Sequence, residues 1–545
     1  MSISKVSIDT ISVSMYDCGE DHVEQNAIKL TDQSEPLSRL AAMVAVTGDG
    51  RKGIPVHAPF TGKKIATVPA CTADDVQAVL HRARKAQQAW AQRSTAERKA
   101  ILLRYHDRVL QFQDELLDII QIETGKARVN AMEELLDLAN NARHYAYRAH
   151  TYLRPRRRKG AFPFMVKTWE YHHPIGIVGI IAPWNYPLVL TISDAIPALL
   201  AGNAVILKPS RETPFTALFA VHLLREAGLP NDVCQVVTGH GGEVGPPLIA
   251  GVDFLGFTGS TETGKNMASQ AGKNLIKCSL ELGGKNPMIV LNDAPFSRTV
   301  EGAIHGCFAN AGQLCISIER LYVQSGIYNR FIDEFSRKTR MLRLAASFDY
   351  DSDVGSLISE KQLSIVQAHV QDAIDKGAKI IAGGDARPEV GPFFYEPTIL
   401  TGVTPVMKVA REETFGPVVS VYRFNDTNDA VSAANDSEYG LNGSIWSRNL
   451  RHGRKIAQQI ACGTVNINEA YAAAYGSVDA PMGGTKRSGI GRRHGREGFL
   501  KYTETQTIAV QRFLSMAPPP GMDAKRHARI MTKAMRILIR IPGLR

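Results

Sequence analysis

The sequence predicts an α/β protein built on a doubly wound parallel sheet, and three observations carry that prediction. First, from Ile175 onward short apolar runs alternate with helical stretches: IGIVGIIAP, AVILKPS, VCQVVTG and VDFLGFTGS. Continuous apolar runs of this kind are how parallel strands read, because helices cover both faces of such a sheet. Second, each run ends in glycine or polar residues, and open α/β sheets bind ligands at the carboxyl ends of their strands. Third, a further set follows Pro287, with MIVLND, then an expected helix reaching Cys315, then RLYVQ, and later GPFFYEPTIL and GPVVSVYRF, marking a second α/β unit.

Length and composition agree. The chain has 545 residues, beyond the size at which one core stops growing, so two or three structural units are expected. Its 44% apolar and 21% charged content is that of a folded globular protein. The seven cysteines are scattered without a C-x-x-C pair, which argues against a zinc knot or a disulfide framework, and no metal is expected. The net charge of +11 suggests a nucleic-acid binder until it is mapped: residues 521–545 hold seven Lys or Arg and one Asp. The rest of the chain is only mildly basic, so no nucleic-acid partner is expected. The first residues lack a basic leader with an apolar run, and no stretch reaches the ~18 apolar residues of a spanning helix; a cytoplasmic location is expected.

In chain order, residues 1–53 show no usable periodicity and are expected to form a mobile extension, with order beginning near Ile54. IPVHAPFTGKKIATVPA alternates around a Thr-Gly turn and reads as a hairpin. Thr72 and Asp75 resemble a capping box ahead of Val76, Val79, Leu80 and Ala83 at helical spacing. Further helices are expected over 96–112 and 132–152. RPRRRK at 154–159 reads as a solvated connector, and FPFMVKTWEYHHP after it as a strand that could bridge to another subunit. TETQTIAVQ at 503–511 is a candidate partner for that strand near Trp169. After the break APPPGMD comes a basic helix. Ile530, Ala534, Ile537, Leu538 and Ile541 fall on one face, and Lys525, Arg529, Lys533, Arg536 and Arg540 on another. Such a face packs on its own protein or a partner subunit, or lies on an anionic membrane surface.

Several stretches have parts for chemistry. In VDFLGFTGSTETGK a strand runs into Gly259 and Ser260 and then a helix, which offers backbone N–H groups to a phosphate. Its G-x-x-x-x-G spacing is not the usual dinucleotide fingerprint, so a plain strand-to-helix turn stays open. AVILKPSRETP places Lys208, Ser210 and Arg211 at a neighbouring strand end, donors suited to ribose hydroxyls or an extra phosphate, or simply surface groups. In APWNYP, Trp184 and Asn185 sit between two prolines; an amide fixed there can donate to an oxyanion, or the turn is merely rigid. FANAGQLC at 308–315 closes on Cys315, and ELGGKNP at 281–287 opens on Glu281. Together they have the parts for nucleophilic attack followed by water activation. Cys307 is expected to be a buried, inert thiol.

PWNYP, FTGS, ELGGKNP, FANAGQLC and EETFGP occur in the order and at the separations of one family. From about Ile54 to Gln511 the chain resembles the aldehyde dehydrogenase superfamily. It is most similar to actinobacterial members described as succinate-semialdehyde dehydrogenases, which share NAGQLCISIER, PMGG and the basic tail. The resemblance implies a Rossmann-type cofactor domain (54–160 and 174–285), an α/β catalytic domain (286–490) and a β-strand oligomerisation arm (161–173 and 491–513). Residues 1–53 and 514–545 lie outside these. It implies Cys315 as nucleophile, Glu281 as general base and Asn185 as oxyanion donor. Trp184, Lys208, Gly245, Ser260, Glu413 and Phe415 match positions that contact NAD or NADP, and Ser210, Arg211 and Gly259 are taken with them. The implied reaction oxidises an aldehyde to its acid through a thiohemiacetal and a thioester, in a homodimer or homotetramer.

Two departures from the family pattern bear on specificity. Arg211 stands where many members have a Glu that contacts the adenosine ribose; a guanidinium attracts a 2′-phosphate, so NADP is expected to be accepted. Ala309 and Ser193 stand where known succinate-semialdehyde enzymes place substrate-binding arginines, and Ile318 where many carry a second, redox-active cysteine. Succinate semialdehyde is the best substrate expectation, with a broad-specificity aliphatic or aromatic aldehyde dehydrogenase as the alternative. A coenzyme A-acylating relative is disfavoured by Glu281. A non-catalytic scaffold is disfavoured by Cys315, Glu281 and Asn185 together.

Overall fold

The computed structural model describes residues 34–48, 50–160, 166–512 and 517–541. Two sheets organise it. The first has six strands in the order Gly489–Ile490, Lys277–Glu281, Phe254–Thr258, Ile177–Ile181, Ala204–Lys208, Cys234–Val236. All neighbours are parallel except the short edge strand Gly489–Ile490. Ile177–Ile181 and Ala204–Lys208 are buried at every position, which is why they read as unbroken apolar runs. The doubly wound parallel sheet expected from the sequence is therefore present.

The second sheet has seven strands in the order Lys379–Ala382, Thr398–Thr401, Val418–Phe424, Ile318–Gln324, Asn286–Val290, Asn442–Trp446, Thr464–Ile467. It is parallel apart from Lys379–Ala382 at one edge. The chain then returns to the first sheet, where Gly489 pairs with Glu281 and Ile490 with Leu280. That return ties the far end of the second unit to the strand that carries Glu281.

A third, three-stranded sheet projects from these. Val166–Pro174 pairs antiparallel with Thr503–Gln511, the partner expected for it, with Trp169 opposite Ile508. Its other neighbour is Arg156–Arg158, so part of RPRRRK is a strand rather than a connector. Arg157 and Arg158 still face water, and Arg158 meets Glu170 at 2.7 Å, which lets a basic run serve as an edge strand.

The hairpin forms as expected, Gly53–His57 against Lys64–Pro69. Thr72 and Asp75 make a true capping box on the helix Ala73–Gln92. The expected helices are Thr95–Gln111 and Arg128–Leu153, with a further helix, Gln113–Thr124, between them. Two expectations are corrected. Order begins before Ile54: the helix Ser34–Ala41 puts Leu37 and Leu40 into the main core, Val44 follows them, and Ala45 N donates to Val236 O. Thr47 and Arg51 then reach Asp75, at 2.8 and 2.7 Å. Residues 1–33 lie outside the described residues. The helix before Cys315 also stops early, at Phe308, seven residues short of the thiol.

Candidate active site

The early stop creates the loop on which Cys315 sits. After Phe296–Phe308, Asn310, Ala311 and Gly312 all adopt left-handed backbone, with φ of 52°, 53° and 69°. Three such residues in a row are costly for non-glycine positions and need support. Asn310 supplies part of it: its backbone N–H donates to Asn130 Oδ1 at 2.9 Å, and its side-chain amide to Asn185 O and Gln313 O. The Gln313 side chain bonds Asn310 O and Ser356 O and accepts from Ile358 N. Asn286, from ELGGKNP, donates to Cys315 O at 2.8 Å and Ser317 O at 2.7 Å. The two motifs are thus one hydrogen-bonded unit.

Asn185 is buried and held from both sides. Its side-chain Nδ2 donates to Gln313 O at 3.0 Å, which leaves one N–H free to point elsewhere. Its carbonyl accepts from Lys126 Nζ at 2.7 Å, and Lys126 forms a fully buried pair with Glu134 at 2.6 Å. Glu134 in turn accepts from Leu188 N and Val189 N, where the chain enters a π-helical turn, Val189–Ser193. Lys126 and Glu134 carried no motif, so nothing in the sequence singled them out.

Glu281 ends the strand Lys277–Glu281, with its Oε1 buried and unpartnered among the described residues. Burial pushes its carboxyl up to about 7, while the nearby Arg493 and Lys501 charges restrain the rise. Burial, reinforced by the Glu413 and Glu281 carboxylates, pushes the Cys315 thiol up to about 12. A thiol held that high is protonated at neutral pH, so any attack through its sulfur has to shed that proton. Cys307, by contrast, is fully buried in the core with no such neighbours but Glu319, as expected of an inert thiol.

Trp184, Asn185, Arg211, Gly259, Ser260, Glu281, Cys315, Glu413 and Phe415 line one cleft of about 510 Å³ between the two sheets. Phe415, with φ of 53°, meets Trp184 edge-on at 5.5 Å. It is placed by Glu319, which accepts from Thr414 N and Phe415 N while paired with buried Lys285. Glu413 accepts from Gly284 N at 2.8 Å, and burial pushes its carboxyl up to about 8.

Lys208 and Gly245 line an adjoining depression of about 380 Å³. Lys208 is buried and gives one N–H to Pro209 O. The observation that fits a dinucleotide is at Gly245: an added Cβ there meets no protein atom within 4 Å and would project into the cavity. Ser260 lines the cleft and caps the helix Thr261–Lys273, accepting from Thr263 N. Ser210 donates to Glu212, and Glu212 also lies 3.9 Å from Arg211. Glu212 is a cleft residue that the sequence reading passed over, and it partly offsets the Arg211 charge.

Ser193 is turned away from a substrate role: it is buried and donates to Asp137 at 2.8 Å. Ala309 is buried too. Cys315 packs against an apolar cluster that includes Tyr186, Leu190, Ile316, Tyr471 and Met482.

Two parallel sheets with a cysteine, a carboxyl of raised proton affinity and an anchored amide in the cleft between them define an α/β oxidoreductase scaffold. The chain belongs to the aldehyde dehydrogenase family, whose model matches residues 45–508. A protein of Mycolicibacterium smegmatis, named by inference as a succinate-semialdehyde dehydrogenase [NADP(+)], is 51% identical over 508 residues, 93% of this chain and 98% of that one. The succinate-semialdehyde dehydrogenase [NADP(+)] of Escherichia coli is 36% identical over 491 residues, 89% of this chain and 100% of its own. Among solved structures, betaine aldehyde dehydrogenase of Staphylococcus aureus in complex with NAD+ superposes with a TM-score of 0.84 at 30% identity, over 91% of this chain and 99% of that one. The chain is therefore an aldehyde dehydrogenase.

Proposed function

We propose that this enzyme oxidises an aldehyde to its carboxylic acid through a thioester on Cys315, with NADP as cofactor and NAD also accepted, in the cytoplasm. The observation that carries the reading is the convergence of Cys315, Glu281 and the Asn185 amide on one cleft. Cys315 Sγ adds to the carbonyl carbon and loses its proton, and Glu281, with its raised proton affinity, is the base at hand. The oxyanion so formed accepts from the free Asn185 N–H, which costs no reorganisation because Lys126 and Gln313 already hold that residue. When bound, the nicotinamide cofactor supplies the hydride acceptor that turns the thiohemiacetal into a thioester. Trp184, Lys208, Ser210, Arg211, Gly245, Gly259, Ser260, Glu413 and Phe415 are the residues we assign to hold it. Once Glu281 has passed the thiol proton on to solvent, it takes a proton from water, the hydroxide adds to the thioester carbon, and the C–S bond breaks to release the acid and the Cys315 thiolate, which takes the proton back from Glu281.

The first sheet in this reading holds the cofactor and the second presents the thiol. Succinate semialdehyde is the proposed substrate, supported by the names of the relatives in M. smegmatis and E. coli. A second reading, an aliphatic or aromatic aldehyde, is favoured by Ser193 bound to Asp137 and by the aromatic cluster behind Cys315. One experiment separates these: NADPH and NADH formation by the wild type and Cys315→Ser over succinate semialdehyde, medium-chain and aromatic aldehydes. Cys315→Ser is expected to bind cofactor normally and lose turnover by at least 10³-fold; substantial residual oxidation would remove Cys315 as nucleophile. The aldehyde with the highest kcat/KM decides the substrate class, and a large preference for NAD would refute the role given to Arg211.

A further inference from the structure

The helix Ala524–Leu538 follows the proline-rich break, and none of its residues is buried. Met531, Ala534 and Leu538 are half-buried, but no residue of the helix joins a hydrophobic core cluster. Ile530 is 48% exposed, Ile537 58% and Ile539 69%. At 100° per residue, Ile530, Ala534 and Ile537 fall within a sector of about 60°, and Arg529, Lys533 and Arg536 within an equal sector centred about 100° away. From Ala524 to Arg545 the sequence holds seven Lys or Arg and no Asp or Glu. Asp523, just outside, is spent on the helix N-terminus, accepting from Arg526 N at 2.8 Å.

We infer that this helix docks the enzyme on the surface of an anionic phospholipid bilayer. A bilayer interface is the partner that satisfies both faces at once: acyl chains take the isoleucines, and anionic headgroups take the basic stripe beside them. A second copy of the helix would cover the isoleucines but bring no acid to the basic stripe, because residues 524–545 hold none. A nucleic acid would meet the charges and leave the isoleucines in water. The 15-residue helix is about 22 Å long, shorter than a bilayer core, so it lies in the interface plane.

The test is co-sedimentation of the full chain with vesicles of phosphatidylglycerol and phosphatidylcholine, against phosphatidylcholine alone. The wild type is compared with Ile537→Asp and with Lys533→Glu/Arg536→Glu. Oligomeric mass is measured by light scattering, and aldehyde oxidation is measured to show that each variant is folded. The anionic vesicles are expected to bind the wild type at least tenfold more strongly than the neutral ones. Each variant is expected to lose at least tenfold in binding, with oxidation and mass unchanged. Equal binding to neutral vesicles, or absence of binding to anionic ones, overturns the inference. So does full retention of binding by Ile537→Asp, which would leave only charge adsorption. A fall in oligomeric mass in Ile537→Asp assigns the face to a second copy instead.

Discussion

As the proposed base, Glu281 would have to do two things that conflict in water: hold a proton loosely enough to act as a base, and strongly enough to take one from a neutral nucleophile. Burial at the end of its strand raises its proton affinity, and Arg493, Lys501 and Arg492 pull it back while Asp194 adds to the rise. Arg493 is itself buried and fixed by Asp194 at 3.1 Å, so its distance from Glu281 cannot drift. The sign follows directly: the base works only when deprotonated, so kcat should fall on the acid side of about 7. At one unit below that value about one-tenth of the base is available, giving a loss of about tenfold. Arg493→Gln removes the charge that favours the carboxylate, and the acid limb should move to higher pH by about one unit; Arg493→Lys keeps the charge and should leave the limb near its original place. A pH–rate profile of kcat for the three proteins checks this. An unmoved limb in Arg493→Gln would show that the guanidinium only braces the fold.

The loop between Phe308 and Cys315 shows best what could and could not be read from the sequence. Its motif letters located the thiol, but helical continuity seemed to run through it, because a left-handed turn at Asn310 and Ala311 leaves no periodic trace. Eight strands of the two sheets were legible for the opposite reason, since burial makes them apolar runs; Lys379–Ala382, Thr464–Ile467, Lys277–Glu281 and Gly489–Ile490 are partly exposed and were not, and Asn442–Trp446, though buried, opens on Asn-Gly-Ser. Lys126 and Glu134 were illegible because a buried ion pair looks in sequence like any surface pair, and its partners Asn185 and Leu188 are more than fifty residues away. The same holds for Arg156–Arg158, where strand pairing is decided by the neighbour and not by the arginines. Gly312 is the point of least freedom in the loop. It combines φ of 69° with a position where an added Cβ would overlap the Gly416 carbonyl, so any side chain forces backbone apart. Gly312→Ala should therefore shift the thiol relative to Glu281 and Asn185, and a displacement of ~1 Å is worth about 10²-fold in rate. Single-turnover kinetics on the variant, with far-ultraviolet circular dichroism to confirm folding, would show it; near-wild-type kcat would mean that the loop yields elsewhere.

Over the whole molecule, the three-stranded sheet ends in an edge that needs covering. Thr503–Gln511 is nine residues long, pairs with Val166–Pro174 on one side, and has no strand on its other side among the described residues. Every residue after Thr503 is exposed, including Ile508 at 41% and Val510 at 46%. A long, exposed edge strand with apolar side chains invites pairing with another chain, and natural proteins either blunt such edges or occupy them. Blunting is not used here, since the strand carries neither proline nor lysine. Pairing with a second copy of the chain would cover this edge, and we propose it as the interface of the homodimer or homotetramer that the family resemblance implies. Ile508→Lys/Val510→Lys should then lower the molecular mass seen in sedimentation velocity toward that of one chain, 59.6 kDa. Because Tyr502, the last residue before this strand, sits in the core that also holds the first sheet's strands, the loss of mass should come with a lower unfolding midpoint. An oligomer of unchanged mass in the double variant would move the interface off this edge and leave the arm without an assigned partner.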